Sequence, residues 1–472
     1  MAVWMSMDQF SGQLGAIKQD TRAPCPSEFD EGDCYWIKEF PVSFEDECLS
    51  SKVPSDADVV IIGSGISGTA MAYHLANRQP DLKVAMFEAR VICTGATGRN
   101  GGHLCRAEQY DIRALASVFG NDDAVRMRQM TLRNRDMMLE TIKSLGIGEQ
   151  IDLQLGGTTA IFGSEEERDD FQKDVDFAKE LGMPCEGRLL SQDETIEKFK
   201  VSRELAKYGS AYLELSGSLY PRKLVAAVLK DVRARMPNFS IHPYTPVTSV
   251  EKSEGARGGG KEQYIIKTGK GDIRASVVLH ATNAYASKLI PCLSGSEGVF
   301  GVKAEVMAVQ PRDDVLPPNQ LRGGLGYDKF WHWLVQRPDN GPFIYGWSGV
   351  EKVGDYDDSK ILSDSNSRKK MCEWLETSLP DNFSTVQWDD HVKNCWTGVQ
   401  GLTLNGTSYV GRPDKERSGE FMSVGHNGEG MGRCWACAFV VIDKAMHYLE
   451  EDESSTPWKA PEWFPNAFLK NI

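Results

Sequence analysis

Four residues in the first quarter of the chain have the types and spacing of a nucleotide site. Gly63, Gly65 and Gly68 form a GxGxxG pattern directly after an apolar run. In such a turn the first glycine permits a tight bend, the second lets the backbone approach a pyrophosphate, and the third allows a helix to pack closely on a strand. The N-terminus of that helix presents free N–H groups to the anion. Glu88 follows about 20 residues later, where a carboxylate would bind a ribose diol. The pattern predicts a dinucleotide site and does not separate NAD from FAD.

A second glycine-rich stretch follows Glu88 almost at once. The sequence GATGRNGG, from Gly95 to Gly102, offers backbone N–H groups without obstructing side chains, together with the cation of Arg99. Such a loop can lie against a diphosphate, a ribityl chain and an isoalloxazine ring, so the stretch favours FAD. His103 comes directly after the loop and is the best candidate for a polar contact near that ring, with a structural role as the alternative.

A third glycine cluster lies far downstream, in the sequence FMSVGHNGEGMG. It follows an apolar strand and precedes a long apolar helix, so a second positive helix end is expected to point into the protein. Reduced flavin carries negative charge on its pyrimidine ring, and a helix N-terminus would stabilise that charge. An NAD enzyme would not need this second helix end. The alternative is a glycine-rich packing turn without a ligand.

The elements that must position these residues follow from the apolar pattern. A buried strand over Val59–Ile62, a helix over Ala70–Leu75 and a strand over Lys83–Phe87 make a unit of about 30 residues around the first motif. Charged helical periodicity dominates from residue 107 to about residue 207. Two aromatic strands are expected around the turn PDNG, and a flexible hairpin tip at GARGGGKEQ.

Bulk composition limits the classes of function. A chain of 472 residues is expected to form two domains, and a net charge of −14 argues against sequence-independent binding of nucleic acid or an anionic membrane. The apolar runs are too short for a membrane span, and the N-terminus has no secretory pattern. Eleven cysteines suit reduced thiols in an intracellular, cytoplasmic protein. The CxxC pair Cys434 and Cys437 is expected to form part of a buried helix.

Taken together, the motifs resemble the D-amino-acid oxidase-like superfamily of FAD-dependent oxidoreductases, which includes glycine, sarcosine and γ-glutamylputrescine oxidases. GATGRNGGHL is similar to the GASGRNGGQ loop of the last group, and CYWIKEFP with SDADVVIIGSGISG resembles the N-terminal layout of fungal members. Further stretches follow in the family's order: SLYPRKLVAAV, VVLHATNAYAS, WLVQRP and WTGVQGLTLNGTSYVGRP. The resemblance spans roughly Trp36 to Leu449.

The resemblance implies an α/β (α+β) fold. A Rossmann-like FAD-binding domain of the glutathione-reductase type would be interleaved with an antiparallel-sheet substrate domain. The FAD-binding domain would comprise residues 58–105, 205–290 and 392–450, and the substrate domain residues 106–204 and 291–391. Residues 1–57 would form an N-terminal extension, pinned to the body by Trp36 and its neighbours, and residues 451–472 a C-terminal tail.

The resemblance also implies where FAD lies. The GxGxxG glycines would hold the pyrophosphate, Glu88 the adenosine ribose, and the backbone of Val247 the adenine. The full set of implied cofactor contacts is Gly63, Ser64, Gly65, Ile66, Ser67, Gly68, Glu88, Ala89, Arg90, Ala96, Thr97, Arg99, Asn100, Gly101, Gly102, His103, Leu104, Val247, Gly428, Glu429, Gly430 and Met431. Some relatives attach FAD through a cysteine. Cys395 lies upstream of the matching position, Gly398, so dissociable FAD is expected, and no metal.

Two departures from the family pattern concern the neighbourhood of the flavin. Thr403-Leu404-Asn405-Gly406 stands where many members have TPDG, which leaves the details of that loop open. Gly346-Trp347 stands where GG is frequent, which predicts a bulkier substrate wall.

Such a protein would oxidise a C–N bond of an amine or amino acid by hydride transfer to flavin, and dioxygen would reoxidise the flavin to give hydrogen peroxide. The amine must be neutral to react, so a desolvated aromatic pocket would help. The candidate catalytic residues are His103, Lys303, Lys329 and Trp333. The candidate substrate contacts are Trp331, Trp333, Gln336, Arg337, Tyr345 and Trp347.

Alternatives stay open for these residues and for the function. Strand alternation lets only one parity of the aromatic residues face a cavity, aromatic cross-strand pairs also stabilise sheets, and both lysines could be solvated. A flavin dehydrogenase or a tailoring oxidase for a larger secondary or tertiary amine is a second enzyme class, and a flavin-binding protein without turnover is the non-enzymatic one. The sequence does not define the substrate or the oligomeric state.

Overall fold

Two sheets and the helices that cover them make up the computed structural model, which describes residues 17–30, 32–41, 53–105, 109–253, 262–450 and 456–471. The predicted hairpin tip GARGGGKEQ lies almost entirely outside these residues. The strands are β1 (Asp56–Ile62), β2 (Val84–Phe87), β3 (Thr158–Ile161), β4 (Arg188–Leu190), β5 (Ser210–Leu213), β6 (Phe239–His242), β7 (Val247–Lys252), β8 (Tyr264–Thr268), β9 (Gly271–His280), β10 (Phe300–Val309), β11 (Gly324–Tyr327), β12 (His332–Gln336), β13 (Phe343–Val353), β14 (Val392–Leu402), β15 (Tyr409–Gly411), β16 (Glu420–Val424) and β17 (Leu469–Lys470). The α-helices are α1 (Tyr35–Lys38), α2 (Ile66–Arg78), α3 (Ile112–Phe119), α4 (Asn121–Leu145), α5 (Glu165–Glu180), α6 (Gln192–Phe199), α7 (Pro221–Arg235), α8 (Ser365–Ser378), α9 (Pro380–Phe383), α10 (Trp388–His391) and α11 (Gly430–Glu450).

The first sheet contains nine described strands and carries the nucleotide loop. Its main path runs β17–β15–β16–β9–β1–β2–β6, and β7 and β8 extend it beside β9. β1 pairs in parallel with β2 and with β9. Parallel strands that are covered on both faces are continuously apolar, and β1 ends in the buried run VVII. The predicted strand, helix and strand around the GxGxxG motif are therefore confirmed.

Two helices begin at the glycine turns and pack against each other. α2 begins at Ile66, directly after Gly65, and α11 begins at Gly430. Their apolar faces join one large core. Cys434 and Cys437 are buried in α11 as free thiols, as the sequence predicts. In the part of the chain that the structure describes, no helix is long and apolar enough to cross a membrane.

The second sheet has eight described strands in the order β14–β10–β13–β12–β11–β3–β5–β4. Its neighbours are antiparallel, with the exception of β11 and β3, which are parallel. The two aromatic strands around PDNG are β12 and β13, and Trp333 lies opposite Gly346 in their register. The predicted α/β fold with a largely antiparallel second sheet is confirmed.

Two strands of the second sheet come from segments that the sequence assigns to the FAD-binding domain. β5 and β14 fall in segments that were expected in the FAD-binding domain, but the structure places both in the second sheet. For β14 the reason is its pairing with β10 along its whole length, from Phe300 opposite Leu402 to Val309 opposite Val392.

The N-terminal segment is fixed to the body through α1. Trp36 is fully buried, and its Nε1 donates a hydrogen bond of 2.7 Å to the carbonyl oxygen of Asn100. The hydroxyl of Tyr220 donates to the carbonyl oxygen of Trp36 at 2.7 Å. This confirms the expectation that Trp36 anchors the N-terminal segment to the body. The same residue contacts the second glycine-rich loop through its hydrogen bond to Asn100.

Candidate cofactor and substrate site

A cavity of about 410 Å³ connects all three glycine-rich stretches. Every cofactor contact implied by the sequence lines it except Ser64 and Gly68. These two residues lie behind the cavity wall, Gly68 because of close packing and Ser64 because of a hydrogen bond. A Cβ on Gly68 would lie 2.0 Å from the carbonyl oxygen of Gly63, so this position carries the close contact between helix and strand. Ser64 is fully buried and binds Glu88.

The nucleotide loop orients Glu88 towards the cavity. Gly63 has a φ of +107°, and a Cβ there would lie 2.6 Å from the carbonyl oxygen of Ala281. The hydroxyl of Ser64 donates to Glu88 Oε2 at 2.6 Å, and the backbone N–H of Arg90 donates to Oε1 at 3.1 Å. The carboxylate is therefore held at the end of β2, where its remaining lone pairs can accept hydrogen bonds from a ribose.

The second loop contains a 3-10 turn over Ala96–Arg99 and is tied to the second sheet. The guanidinium of Arg99 is fully buried; its Nε donates to the carbonyl oxygen of Thr94 at 2.7 Å, and its Nη1 donates to that of Thr397 at 3.0 Å. Asn100 accepts a hydrogen bond from the N–H of Gly102 at 2.7 Å. Arg99 thus borders the cavity and also fixes the loop against β14.

The third glycine cluster forms a turn of left-handed residues before α11. Gly425, Asn427 and Gly428 have φ values of +68°, +54° and +76°. The side chain of Asn427 accepts a hydrogen bond of 2.9 Å from the N–H of Thr403, the first residue of the TLNG loop. The loop that departs from the family pattern therefore supports this turn, and α11 presents its N-terminus to the cavity.

The end of the cavity beyond the second loop is aromatic. Trp333 lies between Gly101 and Gly346, where added Cβ atoms would lie 2.6 Å and 1.9 Å from its indole. The ring centroid of His103 is 6.4 Å from that of Trp333 and 6.4 Å from that of Phe330. Both ring nitrogens of His103 are buried and have no partner among the described residues. Burial lowers the pKa of His103 to about 4, which leaves the imidazole neutral at physiological pH.

Lys329 also lines the cavity, on a turn with unusual backbone geometry. Asp328, Lys329 and Phe330 have φ values of +49°, +52° and +61°. The buried carboxylate of Glu167, on α5, accepts hydrogen bonds from the N–H of Lys329 at 2.9 Å and of Gly163 at 2.7 Å. Burial raises the pKa of Glu167 to about 7. Three successive left-handed residues are strained, and Glu167 helps to hold them.

Three predicted polar residues lie outside the cavity lining because protein partners engage them. Lys303 Nζ donates to the carbonyl oxygen of Asp357 at 2.8 Å. Arg337 forms an ion pair of 2.6 Å with Asp152. Gln336 accepts a hydrogen bond from the main chain before β11. A buried charged or polar group needs such a partner, and these three residues have theirs within the protein.

Three predicted aromatic residues also lie outside the lining. Tyr345 and Trp347 have the opposite parity to Gly346 on β13, so they lie on the far face of the sheet. There Tyr345 is hydrogen-bonded to His332 at 2.6 Å, and Trp347 stacks on the same imidazole. Trp331 precedes β12 and is 37% exposed. The bulky wall expected from Gly346-Trp347 is therefore supplied by Trp333.

Sequence analysis missed several side chains that line the cavity. They are Arg128, Thr131, Thr282, Asn283, Tyr285, Phe330, Ser348, Glu351 and Gln400. One signal was present, since Thr282 and Tyr285 follow the carboxyl end of β9, which pairs in parallel with β1, and ligands bind at such ends. Thr282 Oγ1 and Tyr285 Oη are buried without a partner among the described residues, which suits a polar ligand.

Comparison with known proteins places the chain in a family. Residues 58–444 match a family model described as FAD dependent oxidoreductase. The chain belongs to this family. It is 26% identical over 386 residues to gamma-glutamylputrescine oxidoreductase from Escherichia coli (strain K12), and the match covers 79% of this chain and 80% of that protein.

Solved structures share the fold at low sequence identity. Glycine oxidase from Geobacillus kaustophilus superimposes with a TM-score of 0.66 at 22% identity, covering 88% of this chain and 99% of that one. L-proline dehydrogenase from P. horikoshii gives a TM-score of 0.67 at 18% identity, covering 88% and 98%. These structures agree in fold with the family match over residues 58–444, which makes the protein an FAD-dependent oxidoreductase. Its residues fit that cofactor: the glycine turns suit the dinucleotide, and beside them lie the buried hydroxyls of Thr282 and Tyr285, which have no partner among the described residues.

Proposed function

We propose that this oxidoreductase oxidises the C–N bond of an amine or amino acid and passes the electrons to dioxygen, which yields hydrogen peroxide. The main support for this proposal is that a single cavity runs from the GxGxxG loop to the aromatic end formed by His103, Phe330 and Trp333. Three of the similar proteins, gamma-glutamylputrescine oxidoreductase, glycine oxidase and L-proline dehydrogenase, are named for an amine or an amino acid, which supports the substrate class.

When bound, FAD supplies the hydride acceptor, and the amine becomes an imine that water hydrolyses. The protein's own contribution is the environment of the substrate nitrogen. Apolar and aromatic walls disfavour an ammonium ion, so they favour the neutral amine that can react. His103 is neutral there and offers either a donor or an acceptor to that nitrogen. We propose that His103 orients the amine and that Trp333 and Phe330 exclude water from it.

Lys329 is the predicted lysine that reaches the cavity, whereas Lys303 does not line it. We propose that Lys329 provides the positive charge at the substrate end, where it would attract a substrate carboxylate or promote the reaction of reduced flavin with dioxygen. The two roles separate in experiment. Loss of a carboxylate contact raises KM for amino acids more than for simple amines, whereas loss of oxygen activation slows reoxidation equally for both.

We further propose that FAD is dissociable. Cys395 lies outside the cavity lining and packs with the apolar cluster on the other side of the second sheet, while Gly398 borders the cavity. Precipitation with acid should release the flavin into the supernatant. Yellow protein in the pellet would contradict this.

The deciding experiment is anaerobic mixing of the FAD-loaded protein with a panel of amines and amino acids. Bleaching of the flavin absorbance by one class would support the proposal and identify the substrate class, and no bleaching by any member would oppose it. Peroxide formed on admission of air would establish an oxidase. Reduction of an artificial dye without peroxide would instead establish the dehydrogenase alternative. His103→Ala should slow bleaching while it leaves FAD bound; an unchanged rate would remove His103 from the site.

A further inference from the structure

A short segment after β13 makes a buried ionic contact with the residues that surround the cofactor loops. We call Asp355–Asp358 the strap. Asp358 is 2% exposed, and its two carboxylate oxygens accept hydrogen bonds from Arg90 Nη1 at 2.8 Å and Nη2 at 3.0 Å. Its Oδ2 also lies 3.3 Å from Arg99 Nε. One buried carboxylate thus holds two buried guanidinium groups.

The two arginines belong to different parts of the cofactor site. Arg90 lies two residues after Glu88, at the nucleotide end, and Arg99 lies in the second glycine-rich loop; both line the cavity. The carbonyl oxygen of Asp358 accepts further hydrogen bonds, from Arg99 Nη1 at 3.3 Å and from the hydroxyl of Thr397 at 3.2 Å. Asp358 therefore joins the end of β2, the second loop and β14.

The strap itself is anchored by buried groups of β10. Lys303, which is 2% exposed, donates to the carbonyl oxygen of Asp357 and forms an ion pair of 3.1 Å with Asp355. The N–H of Gly301 donates to the hydroxyl of Tyr356 at 2.8 Å. A buried lysine is costly unless it is paired, so the strap and Lys303 stabilise each other.

Polar atoms at this end of the cavity lack partners within the described residues. They are Arg90 Nε, Thr282 Oγ1 and Tyr285 Oη. The ring of Tyr285 lies 5.5 Å from that of Tyr356 in the strap. The guanidinium groups of Arg90 and Arg99 lie at this end, together with the carboxylates of Asp358 and Glu88. Buried polar groups are normally satisfied, so these three atoms suit an oxygen-rich ligand such as the ribose and diphosphate of FAD.

We propose that the strap retains the cofactor: Asp358 positions Arg90 at the nucleotide end of the cavity and Arg99 in the second glycine-rich loop, and FAD leaves slowly while the strap is in place. Asp358 does not line the cavity and acts through the arginines, so it is a positioning residue. The inference depends on FAD binding alone. It is independent of the proposed substrate and of oxygen reactivity.

Asp358→Asn is the test, and Asp357→Asn is its matched control. The Asp357 carboxylate bonds to Ser359 and Lys360 and contacts neither arginine. The FAD-loaded proteins are diluted, and the release of flavin is followed by its fluorescence. Release should be at least about tenfold faster in Asp358→Asn, because hydrogen bonds between charged groups exceed the ~1.4 kcal/mol that corresponds to tenfold. It should stay within about twofold of wild type in Asp357→Asn.

A general loss of stability is separated by comparing thermal midpoints with and without FAD. If the strap retains FAD, Asp358→Asn should reduce the rise in thermal midpoint that FAD produces. An equal fall in both midpoints with an unchanged release rate would overturn the proposal. If Asp358→Asn does not fold, Lys303→Gln loosens the strap from its other end; faster release from that variant supports the proposal, and release at the wild-type rate refutes it. These readouts hold whether or not any amine is a substrate.

Discussion

Gly346 and Trp333 give the sharpest test of how the aromatic end of the cavity is built. A Cβ on Gly346 would lie 1.9 Å from Cζ2, 2.2 Å from Cη2 and 2.3 Å from Cε2 of the indole. Carbon atoms in contact are separated by about 3.5–4.0 Å, so the methyl group of Gly346→Ala cannot coexist with the indole in its present place. On its other side the indole meets Gly101, which limits how far it can shift.

The expected magnitude follows from overpacking. Gly346→Ala should cost about 1–3 kcal/mol of the free energy of unfolding in the wild-type background. With Trp333→Leu the obstructing ring is absent, and Gly346 does not have a left-handed φ, so alanine is compatible with the backbone. The same change should then cost nothing, or stabilise by up to about 1 kcal/mol. The coupling energy between the two positions is therefore about 1–4 kcal/mol.

Urea unfolding of the wild type, the two single variants and the double variant measures this coupling. FAD is kept saturating, so that altered cofactor binding does not enter the comparison. Equal costs of Gly346→Ala in both backgrounds would refute the placement of Trp333. In the wild-type background the displaced indole should also lower kcat/KM for the amine that bleaches the flavin, while bound FAD stays constant.

Three further predictions concern single groups. Burial raises the pKa of Glu167 from 4.5 to about 7, so the free energy of unfolding should fall by up to about 3 kcal/mol between those pH values as pH rises; Glu167→Gln should flatten that slope, and equal slopes would contradict the assignment. Gly68→Ala should abolish FAD binding in titrations followed by flavin fluorescence, because its Cβ would lie 2.0 Å from the carbonyl oxygen of Gly63. Normal affinity for FAD would show that binding does not need the close packing of α2 on the glycine turn. Glu88→Ala should weaken FAD retention during dialysis, and full retention would argue against ribose binding.

Local patterns predicted the part of the site that depends on backbone shape. The GxGxxG turn, the second loop and the N-terminus of α11 all line one cavity, as their glycines and flanking apolar runs indicate. The side-chain contacts were harder to predict from the sequence. Trp333 and Trp347 have similar sequence surroundings, yet their side chains lie on opposite faces of the second sheet. This difference depends on the register of β12 with β13 and on Trp374 of α8, which covers the face away from the cavity.

The contacts of the strap could not be predicted for a different reason. Arg90 and Asp358 are 268 positions apart, and neither carries a motif that marks the other. Lys303 was expected near the reacting atoms because a lysine there has a chemical use. In the structure its ammonium group is instead satisfied by the strap. Long-range ion pairs depend on how two sheets dock, which short patterns do not encode.

The second sheet contributes residues to both ends of the cavity. Its strand β12 carries Trp333, and its strand β14 accepts the hydrogen bond of Arg99 through the carbonyl of Thr397 while Gly398 lies against Arg99. The N-terminal segment adds Trp36, whose indole binds the carbonyl of Asn100 in the same loop. Because one loop is held by so many elements, a change in the substrate wall that shifts β12 or β14 should also alter FAD release. We therefore expect selectivity and cofactor retention to be coupled in this fold, and variants designed for one should be measured for the other.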